Sequence, residues 1–257
     1  MFNIIDAHCH LDDQDYDEDR EEIVARLPEM GVLAVVNPGS GRESSARAVA
    51  LAEKYDRIYA CVGTHPHEAR FFTTELAEEY EEWLSGKKVV AVGEIGLDYH
   101  YDLSPRNIQR KVFEAQLDMA QRADLPVVIH SREASEDTIA ILRNFGTRIR
   151  ALLHSFSESV EDWEKLALYG YFISLGGMVT FRNADRPKAL AASVPADRLL
   201  LETDGPYLAP VPYRGKRNLP WYAKESLRAI AEIRGEDVEE LAKITVKNAG
   251  TFYGIPT

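Results

Sequence analysis

Cysteine is nearly absent from this sequence: Cys9 and Cys61 are the only two among 257 residues. Two thiols build no disulfide framework, and a reduced, cytoplasmic setting is the simplest expectation. Long apolar runs are missing as well. No stretch of about 18 or more apolar residues occurs, which argues against a membrane-spanning helix. The start of the chain lacks a basic segment followed by an apolar one, so no secretory signal is expected. Bases are outnumbered, 30 against 42 acids, for a formal net charge of −12. That balance disfavours broad coating of nucleic acid or of an anionic membrane, while leaving room for a local basic cleft. Low-complexity tracts, linkers and short repeats are missing too.

What is present is alternation. Hydrophobic residues make up 45% of the chain, enough to fill a sizeable core. Eight short runs rich in Val, Ile and Leu recur, at residues 3–8, 33–37, 58–62, 89–92, 126–130, 151–154, 171–174 and 199–203. Between them lie longer stretches with helical periodicity, such as the one placing Phe113, Leu117 and Ala120 on one face. The stretches 16–28, 44–54, 74–84, 133–145 and 159–168 read similarly, and the tail after Pro220 reads as one or two helices, 222–233 and 237–248, with Gly235 as the break. Strand and helix alternating eight times in about 250 residues is the pattern of a (β/α)8 TIM barrel, here one domain over residues 1–257 with extra C-terminal helices. The rival is an open doubly wound sheet, which the lack of G-x-G-x-x-G after the first run disfavours.

The histidines sharpen this picture. There are seven, His8, His10, His65, His67, His100, His130 and His154, and each falls at or just after the C-terminal end of an expected strand. Side chains at i and i+2 of a strand share a face, so Asp6, His8 and His10 would point the same way. In barrel enzymes the C-terminal strand ends carry the active site. Two imidazoles on one side of an extended segment can grip one metal ion. Alone, H-x-H equally describes two polar residues closing a strand; seven histidines at strand ends do not reduce to that.

Carboxylates complete the set. Glu94 closes VVAVGE and Asp204 closes LLLETD. Strands 1, 4, 5, 6 and 8 would then offer His8, His10, His130, His154, Glu94 and Asp204 to one cavity. Imidazole suits Zn, Mn, Fe or Ni, and carboxylate suits Mg, Ca or Mn. Six ligands exceed the needs of one catalytic ion, so two divalent ions are expected, with Glu94 able to bridge them.

The stretches DAHCHLDD, VGTHPHEA, VGEIGLDYH, PVVIHSREA, LLHSFSES and LLLETDGPYLAP with YRGKRN, running from residue 6 to 218, resemble the TatD-type metal-dependent deoxyribonucleases of the amidohydrolase superfamily. The resemblance implies a TIM barrel with one or two divalent metals (Mg, Mn or Zn). It implies that His8 and His10 hold one metal, that His130 and His154 hold the second, and that Glu94 bridges. Asp204 would ligate the first metal and help activate water. The implied activity is hydrolysis of DNA phosphodiesters, often from the 3′ end, by a cytoplasmic monomer with no membrane partner. Some relatives instead remove D-amino acids from tRNA, so a D-aminoacyl-tRNA deacylase or another ester or amide hydrolase is the alternative. A metal-binding module without turnover is the competitor from another class. Two departures touch substrate-side loops. Ser155-Phe156-Ser157-Glu158 replaces an expected Cys-Phe-Ser-Gly, and Leu219-Pro220 replaces Glu-Pro.

Further expectations follow from the residues themselves. The loop after strand 7 carries Arg182, Arg186 and Lys188 against Asp185, and residues 205–220 carry Arg214, Lys216 and Arg217 with no acid. Arg182, Arg214, Lys216 and Arg217 are therefore candidate substrate-binding groups, since guanidinium pairs bidentately with phosphate. A charged, solvated loop is the plain alternative for any one of them. His67, and less so His65, is a candidate phosphate contact. Tyr99, Phe156, Phe181 and Tyr207 are candidates for base stacking, although each is individually as well explained by packing. Glu202 shares a strand face with Asp204 and is expected to bond a ligating histidine or water. Cys9 alternates away from the ligand face and is expected to be packed.

Overall fold

A computed structural model describes residues 2–257. Its eight strands are β1 (Ile4–Asp6), β2 (Val32–Pro38), β3 (Ile58–Val62), β4 (Val89–Asp98), β5 (Val127–Arg132), β6 (Ala151–Leu153), β7 (Phe172–Leu175) and β8 (Leu199–Leu201). They form one sheet in sequence order, and β1–β2, β3–β4, β4–β5, β5–β6 and β7–β8 pair in parallel. Ala7 N donates to Leu201 O at 2.9 Å, so the first strand also meets the last. The helices are α1 (Arg20–Arg26), α2 (Arg42–Lys54), α3 (Thr74–Leu84), α4 (Arg106–Ala123), α5 (Ser135–Phe145), α6 (Val160–Ala167), α7 (Asp185–Ser193), α8 (Ala223–Arg234) and α9 (Val238–Tyr253). The chain thus has the (β/α)8 barrel fold, with α9 beyond the eighth strand–helix pair. Among the described residues no helix is long and apolar enough to cross a membrane.

The described chain groups into two compact units. One comprises residues up to Asn37, Ser155–Trp163 and Phe172–Thr257; the other comprises Pro38–His154 and Glu164–Tyr171. In the first unit Ile4, Val32, Val35, Ile173, Leu199 and Leu200 are fully buried, and α9 is capped by the Asp237 side chain, which accepts from Glu239 N and Glu240 N. In the second unit every residue of β4 is buried. Its near-continuous apolar run, VVAVGEIGLD, is what a parallel strand covered on both faces requires.

Two differences from the sequence expectation bear on the site. The first concerns β4, which does not stop near Glu94 but runs on to Asp98. Against β5 its register steps from Val92↔Val127 to Ile95↔Ile129. Three residues of β4 thus oppose two of β5, a bulge that re-aims Glu94. Gly93 and Gly96 look like strand breakers in sequence. In the fold Gly96 has φ +137°, and a Cβ there would sit 2.0 Å from His130 O. The glycine is demanded by the close approach of β5 and does not end the strand. The second difference is α7: the sequence places Arg186 and Lys188 in a loop, but they lie in the first turn of this helix. Pro187 sits in the same turn, which tolerates proline because its N–H would be unpaired anyway.

Candidate metal centre

The first cluster lies in the unit that holds β1 and β8. Beyond their regular ends these strands stay zipped: Asp204 N donates to His8 O at 2.9 Å and His10 N to Gly205 O at 2.8 Å. That ladder brings the H-x-H pair to Asp204. His8 Nε2 and His10 Nε2 are 3.2 Å apart, and each is 3.7 Å from Asp204 Oδ1. Asp204 has φ +55°, a left-handed conformation that costs a non-glycine residue and is typically retained where function demands it. Asp6, fully buried, braces this corner by accepting from Thr203 N at 2.9 Å and from Thr203 Oγ1 at 2.5 Å. Burial pushes the Asp6 carboxyl well above the usual range, against those hydrogen bonds.

The second cluster lies in the unit that holds β3 to β6. Glu94 Oε1 is 3.0 Å from His130 Nδ1, 2.8 Å from His154 Nε2 and 3.5 Å from His65 Nε2. His130 Nδ1 and His154 Nε2 are 3.3 Å apart. The other nitrogen of His130, Nε2, meets Asp98 Oδ2 at 3.1 Å, and the same oxygen receives His67 Nε2 at 3.0 Å. Asp98 is itself fixed by the backbone amides of His100 and Tyr101. Burial raises the Glu94 carboxyl, but the surrounding histidines, His154 foremost, outweigh it and hold the group well below its ordinary value. Asp98 is likewise raised by burial and then held far lower by His130 and His67. Burial pushes His65 down to about 4, so its ring is neutral and able to ligate near neutral pH.

These donors fit divalent metal. Ligands around an ion at roughly 2.1 Å lie about 3.0 Å apart in an octahedron and about 3.4 Å apart in a tetrahedron. The edges of both triangles fall at or close to that span. Histidine nitrogens that face one another across 3.2 Å, with a carboxylate alongside, form a pocket for a cation. The Asp98–His130 contact leaves Nδ1 of His130 turned toward Glu94, the carboxylate–histidine pairing that orients metal-binding imidazoles.

Other candidates fall variously. His65 is buried against Glu94, and His67, a candidate phosphate contact, has its Nε2 against Asp98 Oδ2. Asp98 escaped the sequence reading, although its spacing of four from Glu94 placed it on the same strand face. Glu202 is fully buried and accepts from Ser174 Oγ, with a carboxylate oxygen within 4.8 Å of a His8 ring nitrogen. Arg217 is committed to a bidentate pair with Asp19, at 2.9 and 2.5 Å, and lies over the Tyr16 ring. The absence of acid near it in sequence is undone by α1's approach. Arg182, Arg214 and Lys216 are exposed. Phe156 is buried, and Tyr99 donates its hydroxyl to Asp137. Tyr207 is 51% exposed, its ring edge-on to His10 and its hydroxyl donating to Asp13 Oδ2. Tyr101, overlooked in the sequence, is 54% exposed and edge-on to His67. Cys9 is buried, as expected.

Known proteins match this arrangement. The sequence model described as "TatD related DNase" matches residues 5–254. The chain is 42% identical to a protein of Bacillus subtilis named uncharacterized metal-dependent hydrolase YabD, over 98% of this chain and 99% of the other. It is 35% identical to a protein of Pectobacterium parmentieri named 3′-5′ ssDNA/RNA exonuclease TatD, over 97% and 99% of the two chains. The crystal structure of YjjV, a TatD homologue from Escherichia coli, superimposes with a TM-score of 0.92 at 34% identity, covering 98% of each chain. A match along nearly the whole length, with the histidine and carboxylate clusters in place, makes this chain a member of the TatD-related family of metal-dependent hydrolases.

Proposed function

We propose that this hydrolase cleaves phosphodiester bonds of nucleic acid, as an exonuclease on single-stranded DNA that works from the 3′ end. The observation that carries the reading is the pair of three-donor clusters, each holding histidine nitrogens and a carboxylate oxygen within 3.7 Å of one another. The name of the Pectobacterium relative supports the substrate and the polarity.

His8, His10 and Asp204 would hold one divalent ion, and Glu94, His130 and His154 a second. When bound, such ions polarise a phosphoryl oxygen and lower the pKa of water. The residues of the chain supply the rest. Asp204 takes the proton of the attacking water as general base. Glu94, kept ionised by its histidines, supplies a carboxylate that needs no proton loss before it ligates. Asp98 fixes the ring of His130. Arg182 and Lys216 offset charge on the phosphate backbone of the substrate.

The test is degradation of an end-labelled single-stranded DNA in Mg²⁺, Mn²⁺ or chelator, with Asp204→Asn as control. Metal-dependent loss from the 3′ end, absent in the variant, is the expected result. A folded, metal-loaded protein that leaves DNA intact but hydrolyses D-aminoacyl-tRNA would replace this reading with the ester one.

A further inference from the structure

In the unit that holds β7, β8 and Asp204, a cavity of about 640 Å³ opens among Ser157, Phe181, Arg182, Arg186, Asp185 and Arg214. Cavities of roughly 300 to 1,000 Å³ accommodate molecules the size of a nucleotide. Three guanidinium groups and one carboxylate line it, on a chain whose formal net charge is −12.

Tertiary structure builds this cavity from two loops. Arg214, on the segment after β8, reaches the segment after β7 and lies 4.3 Å above the Phe181 ring. Val211 N donates to Thr180 Oγ1 at 2.9 Å. The same two segments touch at Gly177, where a Cβ would sit 1.9 Å from Leu208 O. Lys188 Nζ donates to Arg182 O at 2.9 Å, which fixes the backbone that carries Arg182. Arg186 has Glu158 at 4.0 Å. The segment that carries Arg214 begins at Asp204, so the cavity and the first cluster share one connection at the C-terminal strand ends.

The chemistry of the lining is specific. A guanidinium held over an aromatic ring, as Arg214 is over Phe181, leaves its other side open to a second π-system, and unpaired nucleobases stack on such groups. Two further guanidiniums beside it match phosphate oxygens. An unpaired base is free to turn out and stack here, whereas a paired base must first be unstacked from its duplex at a cost. We propose that the cavity is a subsite for one nucleotide away from the bond that is cut. Arg214, backed by Phe181, receives the base, and Arg182 and Arg186 receive the backbone phosphate. The subsite selects single strands long enough to reach it. The inference rests on the phosphodiesterase reading above and adds a binding site for a distant nucleotide, and with it a minimum strand length.

The test is fluorescence anisotropy of metal-loaded protein with hydrolysis-resistant phosphorothioate oligothymidylates of two to eight nucleotides. Wild-type affinity is expected to rise at least tenfold at one length, and to fall back when the oligomer is annealed to its complement. In Arg214→Ala, and separately in Arg182→Ala, the affinity of the long oligomer is expected to fall about tenfold, toward that of the dinucleotide. Circular dichroism and melting of the two variants confirm that they are folded. A length step that survives both substitutions overturns the subsite while leaving the nuclease reading intact. Absence of binding at every length overturns the phosphodiesterase reading itself, and the subsite with it.

Discussion

His130 Nε2 lies 3.1 Å from Asp98 Oδ2, while its Nδ1 lies 3.0 Å from Glu94 Oε1. One imidazole is thus held between two carboxylates, one fixing the ring and one sharing its ligand site. Asp98→Asn keeps the shape but removes the charge that favours the Nδ1-ligating form of the ring. Affinity of the second site is expected to fall about 10- to 100-fold. Isothermal titration of chelated protein with Zn²⁺ or Mn²⁺ checks this, and an unchanged binding curve would contradict the orienting role.

Glu94 offers its carboxylate to His65, His130 and His154 within 3.5 Å. Glu94→Ala is expected to abolish hydrolysis and to lower the bound metal by one equivalent, counted by elemental analysis after dialysis. Full metal content with full activity would remove Glu94 from the centre.

Acid is expected to unfold the metal-free protein through the second cluster. His65 is pushed from 6.5 down to about 4 by burial, so the unfolded chain binds its proton first. Its contribution is fully present above 6.5 and is lost as the pH falls toward 4. Glu94 and Asp98, both held low, contribute above the usual carboxylate range and lose their contribution at still lower pH. His130 works the other way. Against burial, Asp98 and Glu94 raise it, so its contribution is present below 6.5 and fades as the pH rises through its folded value. Urea denaturation in chelator between pH 7 and 4 should show falling stability, with a shallower fall in His65→Gln. Equal slopes for the two proteins would show that His65 is not the group responsible.

At Gly96 the backbone of β5 leaves no room for a side chain on β4. A methyl there meets His130 O at 2.0 Å, at a φ of +137° that side chains avoid. Gly96→Ala is expected to cost about 2–5 kcal/mol and to weaken metal binding at His130. Denaturant midpoints and metal titration on the same preparation measure both.

The sequence by itself determined the order of strands and helices and the identity of most donors. Period-two and helical patterns are local, so His8 and His10 on one face, and histidines at five strand ends, were legible without coordinates. Tertiary structure decided the pairings. Asp98 reaches His130 across 32 residues, and Arg217 reaches Asp19 across 198. Sequence spacing carries no information about such distances. The bulge at Glu94 and the close approach at Gly96 set where β4 ends and which way its carboxylates point, because register is a property of two strands together. The Arg214–Phe181 contact follows the same logic: a loop that reads as merely basic becomes one wall of a cavity only when the neighbouring loop supplies the other.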